Sequence, residues 1–422
     1  MPHDDRWWNR FASISIAAGV IVRIVAVVLH PPLNYDYSDI QGYVTRAMRL
    51  ADGVHLNRFD TFFPPGTHII LALPLKIFGT GRGGLWAGSV LWTLLSCAVP
   101  WLAWRFSVRV MTRRAAAITT ALCAVWPLFI AYGIFFMSEI PSLVLLLSTL
   151  ILAFRVAETT GRAKMLYALA AGLSAGAALA VRPQLVLNVI VAAVVVILAK
   201  RWLRATVVAA VGVAIALVPV LALNAHAAGR FVGISENGGL NFFQGHCPVR
   251  GVRTVKAGVG VLEFGSPVVA QQNRGIMFVI IGHIAWEQGY FFHLGMNCIR
   301  KDGIGHVTVL ARNVADLGIT SVPWPPSNER VLRWFVKPAN LAYSWALPSI
   351  IVFGVALSRQ RKDRANRAWL LVAHLVCVLP TAIIFYGDPR FRVPYDVFGL
   401  GLFAILVTSV RPRQDPEQVA TT

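Results

Sequence analysis

Residues 205–224 read ATVVAAVGVAIALVPVLALN, an apolar run without a single charged side chain. A helix needs ~20 mainly apolar residues to cross the hydrocarbon layer of a bilayer, and this run supplies them. A similar run occupies 339–357, and others lie on both sides of it. Over the 422-residue chain, 56% of residues are hydrophobic and only 14% are charged, more apolar side chain than a water-soluble core can hide. Composition therefore predicts an integral membrane protein. The net charge of +20 would suggest a nucleic-acid partner if the basic residues formed one patch on a soluble fold, but they fall in short clusters between apolar runs. That pattern orients a membrane protein, and no nucleic acid is implied.

The clusters are Arg105 to Arg114, Arg162 to Lys164, Lys200 to Arg204 and Arg359 to Arg367, with Arg411 and Arg413 in the tail. Short cytoplasmic loops are enriched in Lys and Arg, so all of these are expected on the cytoplasmic side. The apolar stretch 66–78 would invert every later cluster if it crossed. It is short, follows Pro64-Pro65 and contains Pro74 and Lys76, and it is expected in the outer interface or as a re-entrant piece. The first run, 11–30, follows the basic stretch Arg6 to Arg10 without a small-residue cleavage site, which predicts a retained helix rather than a signal peptide. The expected architecture is an all-α bundle of about ten spans. These are 11–30, 84–106, 115–132, 138–156, 165–181, 184–200, 205–224, 336–358, 368–386 and 393–410. Both termini are then cytoplasmic, and residues 1–422 form one polytopic domain. Two long outer loops, 31–83 and 225–335, and a cytoplasmic tail, 411–422, complete it.

In the first loop, Ile40, Tyr43, Val44, Ala47, Met48 and Ala51 recur at helical spacing behind Ser38, a good helix cap. That pattern predicts an amphipathic helix lying on the membrane. Arg23 in the first span is expected to face protein, because a charge facing lipid costs about 3 kcal/mol on insertion scales. Of the five cysteines, Cys97, Cys123 and Cys377 lie in apolar runs, while Cys247 and Cys298 share the second loop and could pair if that loop is extracytoplasmic. Trp324 and Trp334 suit interfacial anchoring. His246, His283, His293 and His306 match no compact ligand spacing, so no obligatory metal is expected.

The sparse acids carry the chemistry. Asp36, Asp39, Glu139 and Asp388 all map to the outer face, where Arg182, Arg390 and Arg392 also stand at helix ends. Together they would make a site with a base and anion-holding cations at the lipid boundary, although any one of them alone is better explained as a polar cap or ion pair. Asn237, Asn241, Gln244 and His246 offer hydrogen-bonding groups of the kind that recognise sugars, with Gly238-Gly239 allowing close backbone approach. A plain Asn-Gly turn explains them equally well.

The order of several motifs resembles a known family. They are Asp39, Tyr43 and Ala47 in the first loop, Phe63-Pro64-Pro65-Gly66 with Lys76-Ile77-Phe78-Gly79, Ser138-Glu139, Arg182-Pro183, the stretch Asn237 to Gly245, and Gly387 to Pro394. In these the chain resembles the polytopic GT-C glycosyltransferases that use polyprenyl-phosphate-linked sugars, in the branch of protein O-mannosyltransferases and the lipid A aminoarabinose transferase. The resemblance implies transfer of a sugar from a polyprenyl phosphate to a glycolipid, polysaccharide or protein, with inversion, on the extracytoplasmic side of the plasma membrane. It makes Asp39 the general base with Asp36 in reserve, and Arg390, Arg392 and Arg182 the holders of the lipid phosphate. Glu139, Tyr43 and the polar groups from Asn237 to His246 would then bind acceptor or sugar. Phe62 and Phe63 stand where many relatives have a basic residue near the Pro pair, so no lysine partner for the first-loop acid is expected. The adjacent paired acids and inserted domain usual in protein mannosyltransferases are not evident, which leaves the acceptor open. A transporter or flippase of lipid-linked sugars is the alternative, since Arg23 and the outer polar groups could line a pathway.

Overall fold

The structure is a computed structural model, and it describes residues 2–33, 38–197, 202–247, 254–257, 261–266, 279–284, 286–318, 336–360 and 367–409. The expectations for Asp36, for His283 as a ligand, for Trp324 and Trp334 and for the tail 411–422 concern residues or side chains outside those described. Up to the second outer loop the chain forms α1 (Pro2–Leu29), α2 (Ser38–Ala51), α3 (Gly66–Phe78), α4 (Arg82–Val110), α5 (Arg113–Val125), α6 (Pro127–Ala131), α7 (Glu139–Glu158), α8 (Gly161–Val181), α9 (Val186–Ile197) and α10 (Trp202–Ala228). The second loop carries α11 (Gly238–His246), α12 (Gln288–Asp302) and α13 (His306–Asp316). The chain closes with α14 (Lys337–Gln360), α15 (Ala368–Val376), α16 (Leu379–Ile384), α17 (Pro389–Arg392) and α18 (Asp396–Ser409).

Among the described residues, seven helices are long and apolar enough to cross a membrane, and 66–78, 183–197 and 368–384 are shorter apolar helices. Residues 389–409 are the most enclosed of the long spans and 203–228 the least, so α18 is central and α10 peripheral. One departure from an all-α chain is a three-stranded antiparallel sheet in the second loop, β1 (Thr254–Ala257), β2 (Val261–Ser266) and β3 (Val279–Ile284) in the order β1-β2-β3. The strands are only four to six residues long, too short for an alternating pattern to stand out.

Two expected spans are broken, each for a local reason. The run 115–132 divides into α5 and α6 because Pro127 has no N–H to continue the ladder. The freed carbonyls of Cys123 and Ala124 accept hydrogen bonds from the guanidinium of Arg23 on α1, whose Nε also donates to Ser96 Oγ at 2.9 Å. Arg23 is only 2% exposed, so the expected inward-facing cation acts as a staple across α1, α4 and α5. Replacing it with Leu strands those carbonyls in the bundle. Because bonds to charged groups contribute about 1.5–3 kcal/mol, Arg23→Leu should lower the thermal midpoint of the purified protein clearly. An unchanged midpoint in a detergent melt would refute the staple. The run 368–386 breaks between α15 and α16 at Cys377 and Val378, with Pro380 in the first turn of the new helix.

Helix α2 has the predicted apolar face, but protein covers it. Ile40, Tyr43, Val44, Ala47 and Ala51 are buried and α2 packs on α3, so the face expected on lipid is part of the main core. Arg46 explains part of this docking: it donates to the backbone oxygens of Asp60 and Phe59 and lies 5.0 Å above the Phe63 ring.

Candidate functional site

One end of the helix bundle brings together side chains far apart in sequence. Asp39, in the first turn of α2, accepts a hydrogen bond from Arg390 Nη1 at 2.7 Å across 351 residues. Glu139 opens α7 and is fully buried, with Arg182 Nη1 at 3.3 Å; neither Glu139 oxygen has a hydrogen-bond partner. With its amide oxygen turned towards Arg182, Gln184 accepts from Nε at 2.8 Å and from Nη2 at 3.2 Å. Both guanidinium groups flank one ring, Arg182 at 5.8 Å and Arg390 at 5.3 Å from the Phe391 centroid. Asp388 caps the short helix α17 by accepting from the Arg390 backbone N–H at 2.8 Å.

The tyrosines around this cluster register its charges. Burial raises the Tyr43 hydroxyl pKa, and Asp39 and Glu139 raise it further against the pull of Arg390 and Arg182. Burial likewise pushes Tyr386 up to about 12, with Arg390 opposing and Asp388 and Asp39 adding to the shift. Tyr132, between α6 and α7, is driven well up by burial together with Glu139 and Asp388. Asp388 is itself raised by burial, opposed by Arg390. Asp39, Glu139, Asp388, Arg182 and Arg390 therefore form one coupled group, with each of the two arginines paired to a carboxylate.

Sequence motifs that looked like loose punctuation set this geometry. Gly66 lets the start of α3 touch the end of α8: a Cβ there would lie 2.6 Å from the Ala180 carbonyl carbon and the Val181 nitrogen, one residue before Arg182. Gly245 on α11 is in still closer contact with the Phe385 carbonyl, so no side chain fits between the second loop and the last outer turn. Gly245→Ala should therefore displace Tyr386 and Asp388 and lower folded yield in size-exclusion chromatography, whereas Gly53→Ala, at a position with open space around its Cβ, is a milder control despite its positive φ. An equal yield for both variants would refute the close contact.

The second loop docks on both sides of the cluster. Glu236, fully buried, accepts from Thr61 Oγ1 and from Arg230, and its backbone N–H donates to Thr61 O at 2.9 Å. Cys247 and Cys298 form a disulfide joining the end of α11 to α12, which answers the open question of their pairing. His246 makes a chain of contacts, Nε2 to Ile384 O at 2.9 Å and Nδ1 to His306 Nε2 at 2.8 Å, and His306 Nδ1 meets Asp302 Oδ2 at 3.0 Å. Burial lowers the His246 pKa, with the Ile384 carbonyl opposing and His306 adding to the decrease. His246 is thus a fastener for α11 rather than an open sugar ligand. Asn237 stands at the start of α11 and accepts from Ser235 Oγ at 3.0 Å, while Asn241 and Gln244 are half-buried on the same helix.

Arg392 departs from its expected role. Its Nε donates to Asp396 Oδ1 at 2.7 Å, Nη1 to Ser344 Oγ at 2.7 Å and Nη2 to Asn340 Oδ1 at 2.6 Å, and it is 2% exposed. All three guanidinium nitrogens are engaged in tying α18 to α14, which leaves no fork for a lipid phosphate. Spacing two residues from Arg390 hid this, since the short helix α17 turns the two side chains to different partners. Conversely, Gln184, Tyr132 and Tyr386 join the cluster without having been singled out; only Tyr386, beside Gly387-Asp388, had a local signal. Among the described residues, no group of three His, Cys, Asp or Glu side chains is placed to hold a metal ion.

Residues 63–224 match the family model described as dolichyl-phosphate-mannose-protein mannosyltransferase. No curated protein matches the chain. The Archaeoglobus fulgidus oligosaccharyltransferase tethered to an acceptor peptide containing the NVT sequon is similar in structure at 15% identity and TM-score 0.52, over 96% of this chain and 49% of that one. The same enzyme in complex with Zn and sulfate aligns at 13% identity and TM-score 0.51, over 93% of this chain and 48% of that one. ArnT from Cupriavidus metallidurans bound to undecaprenyl phosphate aligns at 14% identity over 94% and 77% of the two chains, and its TM-score of 0.42 adds nothing to the comparison. The chain spans about half the length of the oligosaccharyltransferase it matches. It is thus a multi-pass membrane protein similar in fold to that oligosaccharyltransferase and, over residues 63–224, similar to the dolichyl-phosphate-mannose-protein mannosyltransferases.

Proposed function

We propose that this chain is a single-domain membrane glycosyltransferase that moves a sugar from a polyprenyl-phosphate donor to a glycolipid, polysaccharide or protein acceptor on the outer face of the plasma membrane. The observation that carries this reading is the Asp39–Arg390 pair, which joins the first outer loop to the last outer turn beside the Glu139–Arg182 pair. In the proposed reaction Asp39 accepts the proton of the acceptor hydroxyl or amine as its oxygen or nitrogen bonds to the anomeric carbon. The bond from that carbon to the phosphate oxygen breaks, and the electron pair leaves with the polyprenyl phosphate. A single displacement of this kind inverts the anomeric centre. Arg390 and Arg182 hold the departing phosphate, for which a planar guanidinium fork is suited. Because Arg390 also holds Asp39, arrival of the phosphate and release of the carboxylate towards the acceptor are coupled. Tyr43 backs Asp39, Glu139 orients Arg182, and the half-buried Asn241 and Gln244 line the acceptor side with Asn237 at the helix start. No obligatory metal is proposed, since a guanidinium neutralises each of the two central carboxylates.

The proposed topology has about ten crossings, the seven long helices joined by 113–131, 183–197 and 368–384, with both termini cytoplasmic. The disulfide in the second loop supports an oxidising, extracytoplasmic location for the site, since such bonds persist there. Purified protein in nanodiscs, given synthetic undecaprenyl-phosphate sugars and membrane acceptors, should yield glycosylated acceptor by mass spectrometry. Movement of the lipid across the bilayer without transfer would establish the transporter instead.

A further inference from the structure

Helix α13 is inside out. Its buried side is centred on polar groups, with His306, Asn313 and Asp316 at 5%, 1% and 8% exposure. His306 contacts His246, and Asn313 Nδ2 donates to Gly245 O at 2.9 Å and to Phe385 O at 3.5 Å. The opposite side carries Val307, 63% exposed, and Ala311, and Ile304, 94% exposed, stands in the tight turn Gly303–Gly305 just before the helix. Positions 307 and 311 fall on one helical face, roughly half a turn away from 306, 313 and 316. A helix bathed in water has the reverse polarity, and an exposed apolar face signals contact with something other than water.

The position of α13 says what that is. It packs on α16, the last turns of the apolar helix 368–384, whose own Ile383 and Ile384 are exposed at 39% and 48%. Asn313 reaches the carbonyl just past the end of α16, so α13 lies where that helix leaves the hydrocarbon. Around the apolar stripe stand Arg300, Lys301 and Arg312, all exposed. Apolar side chains flanked by basic ones at this depth match an interfacial helix seated among anionic headgroups. We infer that the α12–α13 elbow is a membrane-docking surface that dips Ile304 and Val307 into the leaflet at this end of the bundle, with Arg300, Lys301 and Arg312 on anionic headgroups. Its polar face is fixed to the bundle through His246 and Gly245, so the elbow is held in place while its other side meets lipid.

The inference is independent of the chemistry proposed above and is tested without an activity assay. Nitroxide labels are placed at Val307→Cys and, separately, Ile304→Cys in a Cys97→Ala background, with Val218→Cys on the peripheral helix α10 as the lipid-facing reference. The proteins are reconstituted in nanodiscs containing phosphatidylglycerol, and power saturation compares collisions with oxygen and with an aqueous nickel complex. Oxygen collisions exceeding nickel collisions at both elbow positions, as at Val218, is the expected result. Replacing Arg300, Lys301 and Arg312 with Gln should lower that ratio. Dominance of the nickel complex would mean a water-exposed elbow, and exclusion of both reagents would mean a protein cover; either outcome overturns the inference. An unchanged ratio in the Gln variant would overturn the headgroup contact.

Discussion

Asp39→Asn should abolish sugar transfer, with a loss of about 10²–10⁴-fold in kcat, the range by which a positioned general base accelerates a reaction. The amide keeps the size of the carboxyl and sits in the first turn of α2, where the side chain is 21% exposed. It cannot take a proton, and it releases Arg390 from its ion pair. The two effects separate by kinetics: loss of the base lowers kcat, whereas freeing Arg390 should leave or improve the apparent affinity for the lipid donor. Equal quantities of monodisperse protein would be compared in the nanodisc assay. Transfer that survives Asp39→Asn and disappears in Asp36→Asn would move the base three residues upstream. Transfer that survives both would remove the first-loop acids from the mechanism altogether.

The largest effect on stability is expected from Asp396→Leu. This substitution removes the carboxylate from a buried network in which Asp396 also accepts from Trp126 Nε1 at 3.0 Å and the Arg392 guanidinium lies 4.7 Å from the Tyr343 ring centroid. The variant leaves an uncompensated guanidinium inside the bundle, and breaking a buried pair in this way costs about 3–5 kcal/mol. The double variant Arg392→Leu with Asp396→Leu should recover most of that loss, because replacing both members of a buried pair by apolar groups is often close to neutral. Thermal melts in detergent would show it. A single variant as stable as the parent would show that the network is dispensable, and a double variant no better than the single would show that the loss comes from packing rather than from the stranded charge.

How far the site was legible depends on what each signal needed. Asp39, Glu139, Arg182, Arg390 and Asp388 were readable as a set because carboxylates and guanidiniums are rare in this chain and the parity of the crossings puts them at one level of the bundle. Level is one coordinate, however, and pairing needs three. Nothing in sequence spacing says that Asp39 meets Arg390 while Glu139 meets Arg182, because those pairs depend on which helices are neighbours. Arg392 shows the same limit: two residues of separation is too coarse to tell a site cation from a structural one when a short helix turns them apart. His246 was readable as a polar group in the second loop, but its partners, Ile384 and His306, lie 138 and 60 residues away.

The sequence by itself determined that the chain is a membrane protein and roughly where its long apolar helices lie, because the cost of placing charge in hydrocarbon acts residue by residue and leaves its record in composition and order. Pro127 lacks a donor and ends α5, but Pro100, Pro219 and Pro348 lie inside longer helices, so the surroundings decided which proline breaks a span. Tertiary structure alone decided that Arg23 would fill the carbonyls that break exposes, that α2 would bury its apolar face in protein, and that α13 would turn its polar side inward. Each of these depends on the partner that another segment brings, and an amphipathic pattern names a face without naming what covers it.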